Sequence, residues 1–190
     1  MQANEPSFTG VRHQLWLTIL VVATIAFSLV FACAAPFAAF GAAAALTLSR
    51  RDALLVTVAL WLANQLTGYA ILHYPWTTSS VAWGPAIGIA AVLGTMAAQW
   101  TVQRLVGARD VVQALAALLA AFAVYEVAIF AVSVTLLGGL EMYAPSIVGQ
   151  VFVTNVAALV GLYGLNRLGT AFGLRRRVDV RVSAQVSRSA

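Results

Sequence analysis

Glu126 lies in AVYEVAIF, near the middle of a run from 111 to 140 that is otherwise free of charge. An ionised acid at the centre of a membrane-crossing helix costs about 2.5–3.5 kcal/mol on insertion scales, while each Leu, Ile, Phe or Val returns about 0.3–0.6 kcal/mol. The run holds about fifteen such residues, so it inserts in spite of the acid. Insertion therefore does not explain why the acid is there. No arginine or histidine is placed at its level, so an internal ion pair is not expected. Three states remain open: a protonated acid hydrogen-bonded to its neighbours, a protonation switch, or a carboxylate awaiting a cationic or hydrogen-bonding ligand.

Other apolar stretches supply groups that could meet it. Asn64, Gln65 and Tyr69 lie in 53–72 and Asn155 in 147–165. Asn64 and Asn155 each fall about eight residues from one end of their stretch, which puts them at one depth, with Glu126 somewhat deeper. Trp61, Thr67 and Gly68 share a helical face with Asn64, a mixed aromatic and polar lining suited to a small-molecule pocket. The plainer reading is an interhelical hydrogen-bond knot with no ligand. Between the stretches runs HYPWTTSS (73–80), with Trp83 just after it. Interface anchoring accounts for most of this segment; a lid over the pocket, formed by His73, Tyr74, Trp76 and Trp83, is the functional alternative.

Catalysis is not expected. The sequence has no HExxH, GxSxG or Walker motif and no Cys/His cluster, and no second acid is placed in the membrane beside Glu126. His13 and His73 fall at opposite faces of the bundle, which excludes a haem held by two histidines. Cys33 is the only cysteine, so an intramolecular disulfide is excluded. No metal or cofactor is expected.

Composition identifies the solvent. The chain of 190 residues is 62% hydrophobic and 9% charged, with a mean hydropathy of +0.90, whereas soluble domains are roughly a quarter charged. All eleven basic residues are arginines, and they mark chain ends and loops rather than a nucleic-acid face. The start, MQANEPSFTGVRHQ, leads into more apolar sequence than an h-region holds, and no removable signal peptide is expected.

Four stretches are long enough to cross about 30 Å of hydrocarbon: 53–72, 81–103, 111–140 and 147–165. The run 111–140 is too long for a straight span and should tilt or break near Ser133 or Gly138-Gly139. Arg50 and Arg51, Arg104 and Arg109, and the six arginines from Arg167 onward alternate with loops that carry none, which puts the arginine side in the cytoplasm. By the same rule 14–48 forms two helices that turn near Pro36, the second short (about 37–48) and covered by its neighbours. The expected fold is an all-α, polytopic bundle of six transmembrane helices in the inner (cytoplasmic) membrane, with both termini cytoplasmic. Its divisions are a tail at 1–13, the membrane domain at 14–168 and an arginine-rich tail at 169–190 that anchors at lipid head groups. Small residues should bring the helices together: Gly84, Gly88, Ala91, Thr95 and Ala98 on one face, and Ala34, Ala38 and Ala42 beside Ala35 and Ala39 on another. Packing within the chain explains these stripes; a groove for another membrane protein is the alternative.

In chain length, inferred topology and the alanine stripe before SRRD, the sequence resembles the substrate-binding S component of energy-coupling factor vitamin transporters. The resemblance implies capture of a vitamin or similar micronutrient in an outward-facing pocket. It also implies energy from separate ATPases, through a coupling subunit that packs on Ala34, Ala35, Ala38, Ala39 and Ala42. The pocket residues would be Trp61, Asn64, Gln65, Tyr69, Glu126 and Asn155. Two other functions fit the same residues: a non-transporting membrane subunit or scaffold whose polar knot only fixes helix register, and a proton-coupled carrier with Glu126 as its relay.

Overall fold

Serine 49 begins the first long helix by accepting a hydrogen bond from the Asp52 amide at 3.2 Å, while its hydroxyl reaches the Asp52 carboxylate at 2.8 Å. This reciprocal cap starts the helix ahead of the hydrophobic run, so Arg50 and Arg51 form its first turn. The computed structural model describes residues 35–171 together with Thr18 and Val22. The predicted first crossing as far as Ala34, with His13 and Cys33, lies outside the described residues, as do the tails at 1–13 and 172–190. Among the described residues the chain is all helical: α1 (Phe37–Thr47), α2 (Arg50–Ala70), α3 (Thr78–Arg104), α4 (Asp110–Val132) and α5 (Pro145–Ala171). Four of these, α2 to α5, are long and apolar enough to cross a membrane.

Short connections make the long helices alternate in direction. Residues 71–77 join α2 to α3, and 105–109 join α3 to α4. Arg50, Arg51, Arg104 and Arg109 therefore gather at one end, where the Gln99 side chain near the end of α3 donates to the Arg50 carbonyl at 3.0 Å. The surface pattern is that of a lipid-facing protein. Leu66, Leu119, Val127, Val153 and Val160 are exposed, while Thr57, Thr95, Gln99 and Asn155 are buried.

The core of the bundle is α1. Its eleven residues rise about 16 Å, roughly half of the hydrocarbon thickness. Every residue from Phe37 to Ala44 is buried, and α1 touches all four long helices. The predicted short, covered helix is present. Alanine suits the position because four neighbours can close on it only where no side chain intervenes. At Gly41 an added Cβ would lie 2.7 Å from the Thr95 hydroxyl of α3. That same hydroxyl meets Thr57 of α2 at 2.9 Å, so one buried contact joins three helices.

The alanine stripe is consumed by this packing. Ala38, Ala39 and Ala42 are at most 3% exposed within the chain, which corrects their expected use as a surface for a partner subunit. Only Ala35 is partly open, and Ala34 lies outside the described residues.

The long predicted run ends as its length requires. Regular helix stops at Val132, a π-helical turn carries Ser133–Leu137, and Gly138 (φ 72°) and Gly139 (φ 95°) turn the chain into a 3-10 turn at Leu140–Tyr143. Both glycines occupy the left-handed region that other residues avoid. The break returns the chain over the end of the bundle farthest from the arginines.

Candidate functional site

Among the described residues, α1 fills only the arginine-side half of the bundle axis and leaves the opposite half open. A cavity of about 550 Å³ lies there, within the range of small-molecule sites. Its wall includes Asn64 from α2, Ser79, Trp83 and Ile87 from α3, Tyr125, Glu126 and Ile129 from α4, and Val151 and Asn155 from α5. Ala35, Phe37 and Ala38, at the start of α1, line it too. Ser133, the two glycines and Tyr143 complete it from the π-turn and the return segment.

Sequence position put Asn64, Glu126 and Asn155 near one depth, and all three line this one cavity. Trp61, Gln65 and Tyr69 do not. The Trp61 indole N–H donates to the Gly84 carbonyl at 2.8 Å, and its ring lies over Gly88 beside an apolar groove between α2 and α3. Three residues along a helix is a rotation that falls about 60° short of a full turn. That offset sets Trp61 and Asn64 on opposite sides of the α2–α3 contact. The Gln65 amide oxygen packs against Gly84, 3.2 Å from where a Cβ would stand.

Tyr69 belongs to the loop instead. Its hydroxyl pairs with Ser80 at 3.1 Å, and its ring lies 4.4 Å from Trp76 and 6.0 Å from Tyr74. The loop is further held by Thr77, which caps α3 by accepting from the Ser80 amide, and by the Tyr74 amide, which donates to the Gly68 carbonyl at 3.0 Å. Of the proposed lid residues, only Trp83 lines the cavity. His73 and Trp76 are exposed, and Tyr74 packs on Gly68. Gly68, first read as pocket lining, is the seat of that ring. Its added Cβ would lie 2.6 Å from the Tyr74 ring. Gly68→Ala should therefore expel Tyr74 and loosen 71–77, seen as faster amide exchange in that loop with little change in α3–α4. Unchanged exchange there would refute the seat.

Asn155 is 3% exposed, and its amide is already engaged. Its Oδ1 accepts from the Ala39 amide of α1 at 2.9 Å, and its Nδ2 donates to the Val151 carbonyl at 2.9 Å. It caps the short helix from a different helix, answering one of the amides that a helix start leaves without a partner. Sequence reading treated it as a ligand contact; it lines the cavity, and its amide also ties α5 to the start of α1.

The residues that sequence reading missed include aromatic ones. Tyr125 adjoins Glu126 in the chain, and its ring stacks on Phe37 of α1 at 6.2 Å. Adjacency to the acid was the available signal. Tyr143 arrives from the return segment: its ring meets Phe130 edge-on at 5.0 Å, and its hydroxyl donates to the Glu126 carbonyl at 3.4 Å. Burial holds its phenol above the ordinary range, against a hydrogen bond with Ser133 that lowers it, so at neutral pH it is an uncharged donor. Among the described residues that line the cavity there is no arginine, lysine or histidine, and Glu126 is the only acid. No group of three or more metal-ligating side chains occurs among the described residues.

Among the described residues, fold and site define a helical protein with four helices apolar and long enough to cross a membrane and a cavity lined by one carboxyl group. The chain matches no protein-family model, no curated protein and no solved structure.

Proposed function

We propose that the protein binds a small molecule, of the vitamin or micronutrient class, from the non-cytoplasmic side of the inner membrane and serves in its uptake with a partner energising module. The observation that carries this reading is the 550 Å³ cavity holding Glu126, Asn64 and aromatic rings at the end of the bundle away from the arginines. Arginine-bearing loops stay in the cytoplasm, which turns that end outward. An acid facing such a space within a membrane bundle is a functional group by default. The likeness to S components in topology supports a coupling subunit with ATPases as partner. With Ala38, Ala39 and Ala42 buried, that partner would dock on a surface other than the alanine stripe.

Native mass spectrometry of freshly purified protein tests the reading. A bound small molecule should be retained by the wild type and lost in Glu126→Gln and in Asn64→Ala, with both variants still folded. Protein that is empty at every detergent concentration, and takes up nothing from a cell extract, would refute it. A scaffold role draws support from Asn155, whose amide fixes helix register without any ligand. It predicts empty protein together with the stability loss argued for Asn155 below.

A further inference from the structure

Resting on that reading of the cavity, we infer that the ligand is an organic cation with a flat or apolar body, bound with its positive charge between the Glu126 carboxylate and the aromatic faces of the wall. Phe37, Trp83, Tyr125 and Tyr143 all line the space that Glu126 lines, and these come from α1, α3, α4 and the return segment. Rings converging from separate elements on one acid form the kind of enclosure that attracts a poorly hydrated cation, through the negative faces of the rings. Among the described residues no basic side chain lines the cavity. Along α2, Asn64 is fourteen residues from Arg50, about 21 Å, so the arginine end cannot supply the missing positive charge.

The start of α1 could favour an anion, since free amides at a helix N-terminus attract negative charge. Two of its first three amides, those of Phe37 and Ala39, are engaged outside the regular helical pattern, and that of Phe40 makes the first helical bond. Phe37 donates to the Ala35 carbonyl at 2.8 Å, Ala39 to Asn155 at 2.9 Å and Phe40 to the Pro36 carbonyl at 3.1 Å. An inorganic cation is a poorer fit, because Glu126 is the single acid among the described lining residues and the amides and hydroxyls of the wall are spread over several elements among rings and aliphatic side chains, whereas such an ion needs about six or more oxygens converging on one point. A single acid matches a single positive charge, and the apolar wall matches a carbon body.

The test uses the full-length protein in lipid nanodiscs, with empty nanodiscs as the partitioning reference. Three probes of one shape are titrated by calorimetry: 3-hydroxyphenyltrimethylammonium, its uncharged isostere 3-tert-butylphenol, and the anion 3-hydroxybenzenesulfonate. The cation should bind at least about tenfold more tightly than the isostere, and the anion should not bind. Glu126→Gln should weaken the cation about 10- to 100-fold while leaving the isostere unchanged. Trp83→Leu should weaken the cation more than the isostere. Equal binding of cation and isostere by the wild type overturns the inference without recourse to any variant, as does preferred binding of the anion. In both cases the cavity is still a ligand site and the uptake reading stands. Binding of none of the probes also overturns it, and native mass spectrometry then separates the two claims: a retained molecule that is neutral or anionic leaves uptake standing, while empty protein removes both.

Discussion

Gly94→Val should leave little folded protein to purify. A Cβ at this position of α3 would lie 2.9 Å from the Ala121 carbonyl oxygen of α4, closer than real contacts allow, and the obstacle is backbone rather than a side chain that could rotate away. The α3–α4 pair is the most extensive helix contact in the bundle, so the misfit extends along its length. In a bilayer the helices have no hydrophobic gain to offset it, because lipid solvates an exposed leucine as well as a neighbouring helix does. Overpacking of this kind costs about 1–3 kcal/mol for a small addition, and Gly94→Ala should fall in that range. Valine adds two more methyl groups and should shift the protein to aggregate in size-exclusion chromatography. Gly161→Ala supplies the control, since nothing lies within 4 Å of the added Cβ; it should run as a monodisperse peak. If Gly94→Val elutes like the wild type, α3 and α4 do not approach as closely as described.

The same interface shows what was legible in the sequence and what was not. Length and hydropathy locate the four long helices because the bilayer imposes a minimum apolar run, and each expected span lies within or close to an observed helix. Boundaries differ where helix continues beyond hydrocarbon: the Ser49 cap adds Arg50 and Arg51, which a hydropathy reading assigns to a loop. Small residues marked close packing, but not what packs. Gly84 and Gly88 read as a helix-helix motif, yet they receive the side chains of Gln65 and Trp61, while the tightest backbone approach falls at Gly94, inside the same helix. Nothing in a single sequence ranks one glycine over another in a helix that has several.

Site residues follow a similar division. Depth is countable along a helix from its ends, so Asn64, Glu126 and Asn155 could be set near one level. Rotation about the axis is less secure. Trp61, three positions from Asn64, turned out to border the outer groove, and Tyr69 joined the loop. Tyr143 was out of reach altogether, because its place depends on how Gly138 and Gly139 reverse the chain, and positive φ at two consecutive glycines permits many directions. The π-turn before them is part of the same solution. It moves Ser133 to the cavity wall, where a straight continuation of α4 would carry the chain past the end of the bundle.

Asn155→Leu should be the most damaging change in the cavity wall even though the position carries no charge. It removes the acceptor for the Ala39 amide and fills the space with a branched hydrocarbon, so water from the cavity cannot take the amide's place. An unmet buried donor costs about 1–3 kcal/mol, which corresponds to a loss of about 2–12 °C in melting temperature for a chain of this size. Asn155→Ala leaves room for a bridging water and should lose less. Asn155→Asp keeps an oxygen facing Ala39 and should lose least, since an amide donating to a carboxylate makes a stronger bond. That order, Leu then Ala then Asp, follows from capping and from nothing else the residue does. A ligand contact would give a different signature: melting temperature unchanged in the empty protein, with binding reduced in all three. Because α1 carries Ala35, Phe37 and Ala38 into the cavity wall, the capping role also predicts a second effect. Ligand affinity in Asn155→Leu should fall with the loss of stability, and both should recover together when Asp replaces Leu. Affinity lost in Asn155→Asp at wild-type melting temperature would show that the side chain serves the ligand directly and that α1 is held by its neighbours alone.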